Sequence, residues 1–279
     1  SIGCMVFHPI GENKPASGKA GTPMNTNVVD LDDQMLADFR DEANDIISSI
    51  DVHVQNARSK NDPAHLTAIQ REVFNLRYKG KSVAAPLINL ASHRLADYVT
   101  TCKDLNEGAI EDIQAFVDKI QSLLDGDISA GGADTAEFVR ELPSKRAPDI
   151  DPNWLKQANV EALLVIPQRS MATIVERELA ACGYRSSVSQ TSFEAIELAV
   201  RTRPDFIIVA KTIDELDGVD LANALQSMPK TRGIPTAVLT SDAPNHPSLQ
   251  DLPCRTAIIR KGNAFGDDLA EALARFNIT

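Results

Sequence analysis

No stretch of this chain comes near the roughly 18 consecutive apolar residues that cross a bilayer, so nothing in it reads as a membrane span. Cysteine is scarce: Cys4, Cys102, Cys182 and Cys254 stand far apart and form no CxxC pair. Structural zinc wants closely spaced ligands, and disulfide frameworks belong mostly to small secreted chains. Free thiols in a reducing compartment are therefore expected. Residues 1–24 lack a basic start, an apolar stretch and a small-residue cleavage site, so the expected location is cytoplasmic. Positive charge is short too: 28 Lys and Arg stand against 39 Asp and Glu, a formal net charge of −11. A surface that grips phosphate backbones needs clustered cations, so nucleic acid and membrane are not expected partners. Also missing are a Walker loop, GxSxG, HExxH and any close Cys/His arrangement. No enzyme activity, cofactor or metal site is expected.

What is present is the balance of a folded protein, 43% hydrophobic and 24% charged over 279 residues. That length suits two domains of ordinary size. Residues 1–29, with glycines at Gly11, Gly18 and Gly21, read as a flexible leader. From 30 to 126 the pattern is helical. The first helix is expected to open at Asp32 or Asp33, where acids suit the positive end of the helix dipole. Leu36, Phe39, Ala43, Ile46, Ile47, Ile50, Val54 and Ala57 give it one apolar stripe. Asn61-Asp62-Pro63 reads as a turn that caps a second helix, whose core face is Leu66, Ile69, Val73 and Leu76. That helix is expected to run through Gly80 towards Pro86. A third carries Leu87, Leu90, Ala91, Leu95, Tyr98 and Cys102, and a fourth Ile110, Ile113, Val117, Ile120 and Leu124. Four amphipathic helices on short links are most economically an antiparallel four-helix bundle.

Between 127 and 159, Gly131, Gly132, Pro143, Pro148 and Pro152 mark a linker, with one short helix expected over Asp134–Leu142. From 160 to 279, strand and helix signals alternate. Strands are expected at Leu163–Ile166, Ser186–Ser189, Phe206–Val209, Thr236–Leu239 and Ala257–Ile259, with a short or distorted helix in the proline-broken stretch Pro244–Leu252. The expected class is α plus α/β in two domains, the second a doubly wound parallel sheet.

The βα alternation, the Gly183-Tyr184 helix stop and Arg203-Pro204-Asp205-Phe206-Ile207-Ile208-Val209 followed by Leu216-Asp217-Gly218 together resemble a two-component receiver domain. The resemblance implies a flavodoxin-like five-stranded sheet in the order 2-1-3-4-5, with its site at the carboxyl ends of the strands. Receivers phosphorylate an aspartate there and hold Mg²⁺ with two further acids, since a hard cation wants oxygen ligands. In this sequence the acid pair aligns with Ile166 and Pro167, and the acceptor with Ala210. Asp205 sits at the opposite end of its strand and cannot substitute. Thr240 and Lys261 match the family's hydroxyl and lysine positions, while Gly262 and Ile258 depart from its proline and aromatic switch. The resemblance therefore implies a pseudo-receiver, with Thr240 and Lys261 read either as an anion-holding pair or as an ordinary hydroxyl and lysine at strand ends.

A bundle of this length beside such a domain resembles histidine phosphotransfer (HPt) proteins, with Phe74-Asn75-Leu76-Arg77 and, nineteen residues after Phe74, His93-Arg94-Leu95 as local likeness. The family's phosphorylatable histidine falls on Phe74, or on Leu76 if Lys79-Gly80 plays its Lys-Gly. Neither side chain has a nitrogen to attack a phosphoaspartate. Phe74 leans towards Gln70, Arg77, Tyr78 and Lys81, away from the core stripe. One reading makes Phe74, Arg77, Tyr78, Lys79 and Lys81 a partner-binding surface for an acidic rim; the other makes Phe74 the edge of the core and the cations solvated.

The expectation drawn from both resemblances is a non-catalytic adaptor of a bacterial two-component phosphorelay. Its expected partners are histidine kinases or receiver domains of response regulators. Two alternatives stand: an active phosphotransfer protein using His53, His65 or His93, and a structural protein that dimerises through the bundle. The three histidines are otherwise expected to be solvated or at the boundary of the core.

Overall fold

The computed structural model describes residues 26–60, 62–81, 83, 85–126, 135–145 and 159–278. Residues 1–25 of the expected leader and most of the expected linker lie outside the described residues, while residues 26–29 of that leader are helical. Four long helices come first: α1 Thr26–Ser59, α2 Pro63–Gly80, α3 Pro86–Thr101 and α4 Glu107–Asp125. Each packs on the next and α4 returns to α1, which closes an antiparallel four-helix bundle. The apolar stripes make its core. Phe39, Ala43, Ile50 and Val54 of α1 face Leu66, Ile69, Val73 and Leu76 of α2, and all are buried. Leu95 of α3 and Ile113, Ile120 and Leu124 of α4 complete it.

Local chemistry sets the helix ends. Asp62 accepts from Ala64 N at 2.9 Å ahead of Pro63, and Asn106 accepts from Ala109 N at 2.9 Å. Two helix boundaries differ from expectation by more than a residue or two. α1 begins at Thr26 and not at Asp32, although Leu31 and Met35 are exposed and add nothing to the core. Lengthening a helix that packing has already nucleated costs little. α2 stops at Gly80 and does not approach Pro86. A Cβ at Gly80 would lie 2.2 Å from Asn89 Oδ1, so a larger residue there would push the Asn89 side chain aside.

After a short helix α5, Thr135–Glu141, the chain forms β1 Glu161–Val165, β2 Arg185–Ser189, β3 Phe206–Ala210, β4 Thr236–Thr240 and β5 Ala257–Arg260. All pairings are parallel and the order is 2-1-3-4-5, the expected flavodoxin-like topology. Helices α6 Arg169–Ala181, α7 Ser192–Thr202, α8 Gly218–Ser227 and α9 Phe265–Arg275 flank it. A single 3-10 turn, Pro247–Leu249, stands where prolines break the fourth crossover. β1, β3 and β4 are buried along their whole length, as strands covered on both faces must be.

The bundle does not hang free of the sheet. α3 lies against β2, the strand at one edge, and α5 bridges α3 and α7. Eleven of the 16 residues of α3 are buried, including Ser92, His93 and Arg94, because this helix packs on two sides at once.

Candidate functional site

Two regions carry the residues of interest: the carboxyl ends of the strands, and the seam between α2–α3 and the sheet domain. At the strand ends, Ile166 follows β1, Ala210 closes β3 and Thr240 closes β4. Register pairs Val165 with Val209, which puts Ile166 and Ala210 side by side. Both are buried apolar side chains. Space above Ala210 is closed by the start of α8: a Cβ at Gly218 would lie 2.4 Å from the Ala210 carbonyl oxygen, and Gly218 N donates to Lys211 O at 2.8 Å. Only glycine permits that approach. Thr240 is buried and its hydroxyl accepts from Asp242 N at 3.0 Å. Lys261 N donates to Thr240 O at 2.8 Å, while its side chain is half-buried. Lys211 crosses to the loop after β4, where it ion-pairs with Asp242 and donates to Ser248 at 2.6 Å. Those hydrogen bonds from Lys211 and Ser248 hold the Asp242 carboxyl below its usual range.

The seam is built from charge. Glu161, 2% exposed at the start of β1, ion-pairs with Arg94 of α3 and with Arg185 of β2 at 3.3 Å. Arg185 also donates to the carbonyls of Val139, Arg140 and Leu142, so it closes the last turn of α5. Burial lowers the Arg185 guanidinium from its ordinary value, against the pull of Glu161. Further along, the open edge of β2 finds its backbone partners on α3: Val188 N donates to Asp97 at 3.1 Å and Ser186 O accepts from Arg94 at 3.3 Å. Lys145 pairs with Asp97 at 2.7 Å and with Glu176 of α6. Burial raises the Glu176 carboxyl even so.

At the mouth of the seam, Glu194 of α7 gathers three groups from the bundle. Arg77 ion-pairs with it, Lys81 stands at 3.6 Å and His93 Nδ1 at 3.7 Å. Burial pushes the Glu194 carboxyl up, but His93 where it is protonated, together with the charge and hydrogen bond of Arg77, outweighs it and holds the group below its usual value. His93 is 5% exposed, and its Nε2 has no hydrogen-bond partner. Burial first, then Arg77, lowers its imidazole to about 4. It is a core histidine, not the solvated or boundary one expected. A cleft of about 290 Å³ here is lined by Phe74, Arg77, Lys81 and His93 from the bundle and by Ile166 and Glu194 from the sheet domain.

The structure thus brings Phe74, Arg77, Lys81 and Ile166 to one cleft, while Ala210, Thr240 and Lys261 lie along the strand ends beyond it. Phe74 is 47% exposed and Tyr78 78%. Lys79 points elsewhere and pairs with Glu42 of α1 at 2.7 Å. Pro167 is half-buried after β1. Sequence reasoning passed over Glu194, Glu161, Asp97 and Lys145. No local pattern marked them: His93, Arg94 and Asp97 stand on the face of α3 that its apolar stripe leaves for solvent.

No protein-family model matches the chain, and no curated protein matches it. Solved structures do. The receiver domain of a signal transduction histidine kinase from Syntrophus aciditrophicus is 25% identical, with 42% of this chain and 90% of that chain covered and a TM-score of 0.38. The receiver domain of a sensor histidine kinase from Pseudomonas aeruginosa, with a magnesium ion in its active-site cleft, is 22% identical, covering 42% and 98% at a TM-score of 0.38. A chemotaxis response regulator of Vibrio cholerae is 20% identical, covering 42% and 98% at a TM-score of 0.38. Among the described residues no helix is long and apolar enough to cross a membrane.

Proposed function

We propose that this chain is a non-catalytic adaptor of a two-component phosphorelay: an HPt-like bundle fused to a pseudo-receiver, acting by binding kinases or receiver domains. The observation that carries the reading is the row Ile166, Pro167 and Ala210 at the strand ends. Phosphoryl transfer at an aspartate needs oxygen ligands for the cation and a carboxylate nucleophile, and hydrocarbon side chains supply neither. In the bundle, the position that matches the phosphorylatable histidine is the phenyl ring of Phe74, equally without a nucleophile. Its exposure beside Tyr78 supports a docking role, since aromatic side chains dominate interface centres.

The test has two arms. Incubated with a phosphorylated receiver domain, or with a kinase and labelled ATP, the full chain acquires no stoichiometric phosphoryl label; a stoichiometric label would end the reading. Titrated with receiver and kinase domains from the same genome, it binds one of them. There, Phe74→Ala weakens binding by about 10-fold or more, because burying the ring contributes on the order of 1.5–3 kcal/mol. Binding to none of them would leave the adaptor without a role.

A further inference from the structure

We propose that His53 and His65 form a two-histidine site for a divalent transition metal of the zinc, nickel and copper class, which clamps α1 to α2 near the turn that joins them. The two Nδ1 atoms face each other at 3.2 Å. Imidazole nitrogens bound at about 2.0–2.1 Å to one tetrahedral ion stand about 3.3 Å apart. The separation of the two nitrogens is therefore close to the span such an ion sets. The rings do not stack face to face: they are tilted by 49° with centroids 5.5 Å apart.

Both histidines ride on fixed backbone. Val54 beside His53 and Leu66 beside His65 are buried in the bundle, and Asp62 and Pro63 hold the first turn of α2. A site on rigid elements holds its geometry better than one on loops. Both rings are half-buried, so an ion reaches them from solvent. Imidazole suits borderline-soft metals, whereas magnesium and calcium take oxygen. Among the described residues there is no group of three or more His, Cys, Asp or Glu that could hold a metal. The two imidazoles are thus what the described chain offers, and the remaining positions go to water or to a donor from another molecule. Such a site binds more weakly than a closed four-ligand one. It stands or falls independently of the adaptor reading.

Zinc chloride alone, titrated by calorimetry into the tag-free, chelator-stripped full chain, tests it. The expected result is one zinc per chain, lost in His53→Gln and equally in His65→Gln, with magnesium giving no heat. Excess zinc also raises the thermal midpoint of the parent by a few degrees and of neither variant, because an ion that binds only the folded state stabilises it. Glutamine keeps a polar side chain of similar length, and each variant's midpoint without zinc reports its folding. Should one variant fail to fold, the other decides. Zinc held as tightly by the variants as by the parent, as scattered thiols would hold it, overturns the proposal. So does a parent chain that takes up no zinc, for then the pair is only an imidazole–imidazole hydrogen bond.

Discussion

Helices α2 and α3 lie side by side in one bundle yet meet the rest of the molecule differently. α2 buries five of its 18 residues, all on one stripe, and leaves Phe74 and Tyr78 in solvent. α3 buries eleven of 16, Ser92, His93 and Arg94 among them, because its second face is pressed against β2. The contrast teaches that an apolar stripe reports only the hydrophobic side of a helix. A contact made through ion pairs leaves no stripe, so α3 looks half-solvated in sequence and is not.

The sharpest way to break the comparison is at its polar extreme. Glu161→Ala leaves Arg94 and Arg185 facing each other without their shared carboxylate. Removing one partner of a buried ion pair costs about 3–5 kcal/mol, and urea unfolding of the full chain should show a loss of that size. A loss near zero would mean that the seam is wet and its charges idle. On the apolar side, Leu76→Ala should cost about 2–5 kcal/mol, as deletions in a packed core do. Phe74→Ala, two residues away, should change stability by less than about 0.5 kcal/mol, the usual range for the surface. Equal costs would erase the two-faced description of α2.

Acid provides a third handle. The imidazole of His93 sits near 4 in the folded chain because it is buried and lies beside Arg77; Glu194, Asp97 and Arg94 also face it. An unfolded histidine titrates near 6.5, so as pH falls the unfolded chain takes up the proton first. Stability is therefore lost between about pH 6.5 and pH 4, by roughly 3 kcal/mol, and is fully present above that window. The depressed Glu194 carboxyl adds a loss of the same sign at lower pH. Unfolding curves of His93→Gln should be flatter across the window, and an unchanged slope would place the titrating group elsewhere. Lys79→Ala is also a small effect: its pair with Glu42 is exposed, so the expected cost is below about 1 kcal/mol and shrinks further in salt.

The strands and the helix stripes were legible because each rests on residues near in sequence, whereas the strand order came from the receiver resemblance alone. Leu163–Ile166 and Phe206–Val209 are apolar runs, Gly183 takes the positive φ that ends α6 before β2, and Asp62-Pro63 caps α2 without help from elsewhere. Ile166, Pro167, Ala210, Thr240 and Lys261 could be placed at the ends of β1, β3, β4 and β5 because those strands are themselves local runs. Illegible was every link that joins distant residues through charge. Arg94 and Glu161 are 67 positions apart, Arg77 and Glu194 are 117, and no local pattern marks either pair. His93 was misjudged for the same reason: what buries it comes from α7 as well as from its own bundle. The start of α1 was missed because helix extension beyond a core needs no sequence signal.

One consequence follows from the way α3 lies along β2. A strand at the rim of a sheet is a template on which another chain can stack, and proteins blunt such rims with charge or cover. Asp97 and Arg94 fill the unpaired amide and carbonyl at Val188 and Ser186. Cut loose from its helices, the sheet domain would bare that rim together with the Glu161 carboxylate, and would invite strand-to-strand aggregation. The bundle is thus also a guard rail, keeping the sheet from growing sideways.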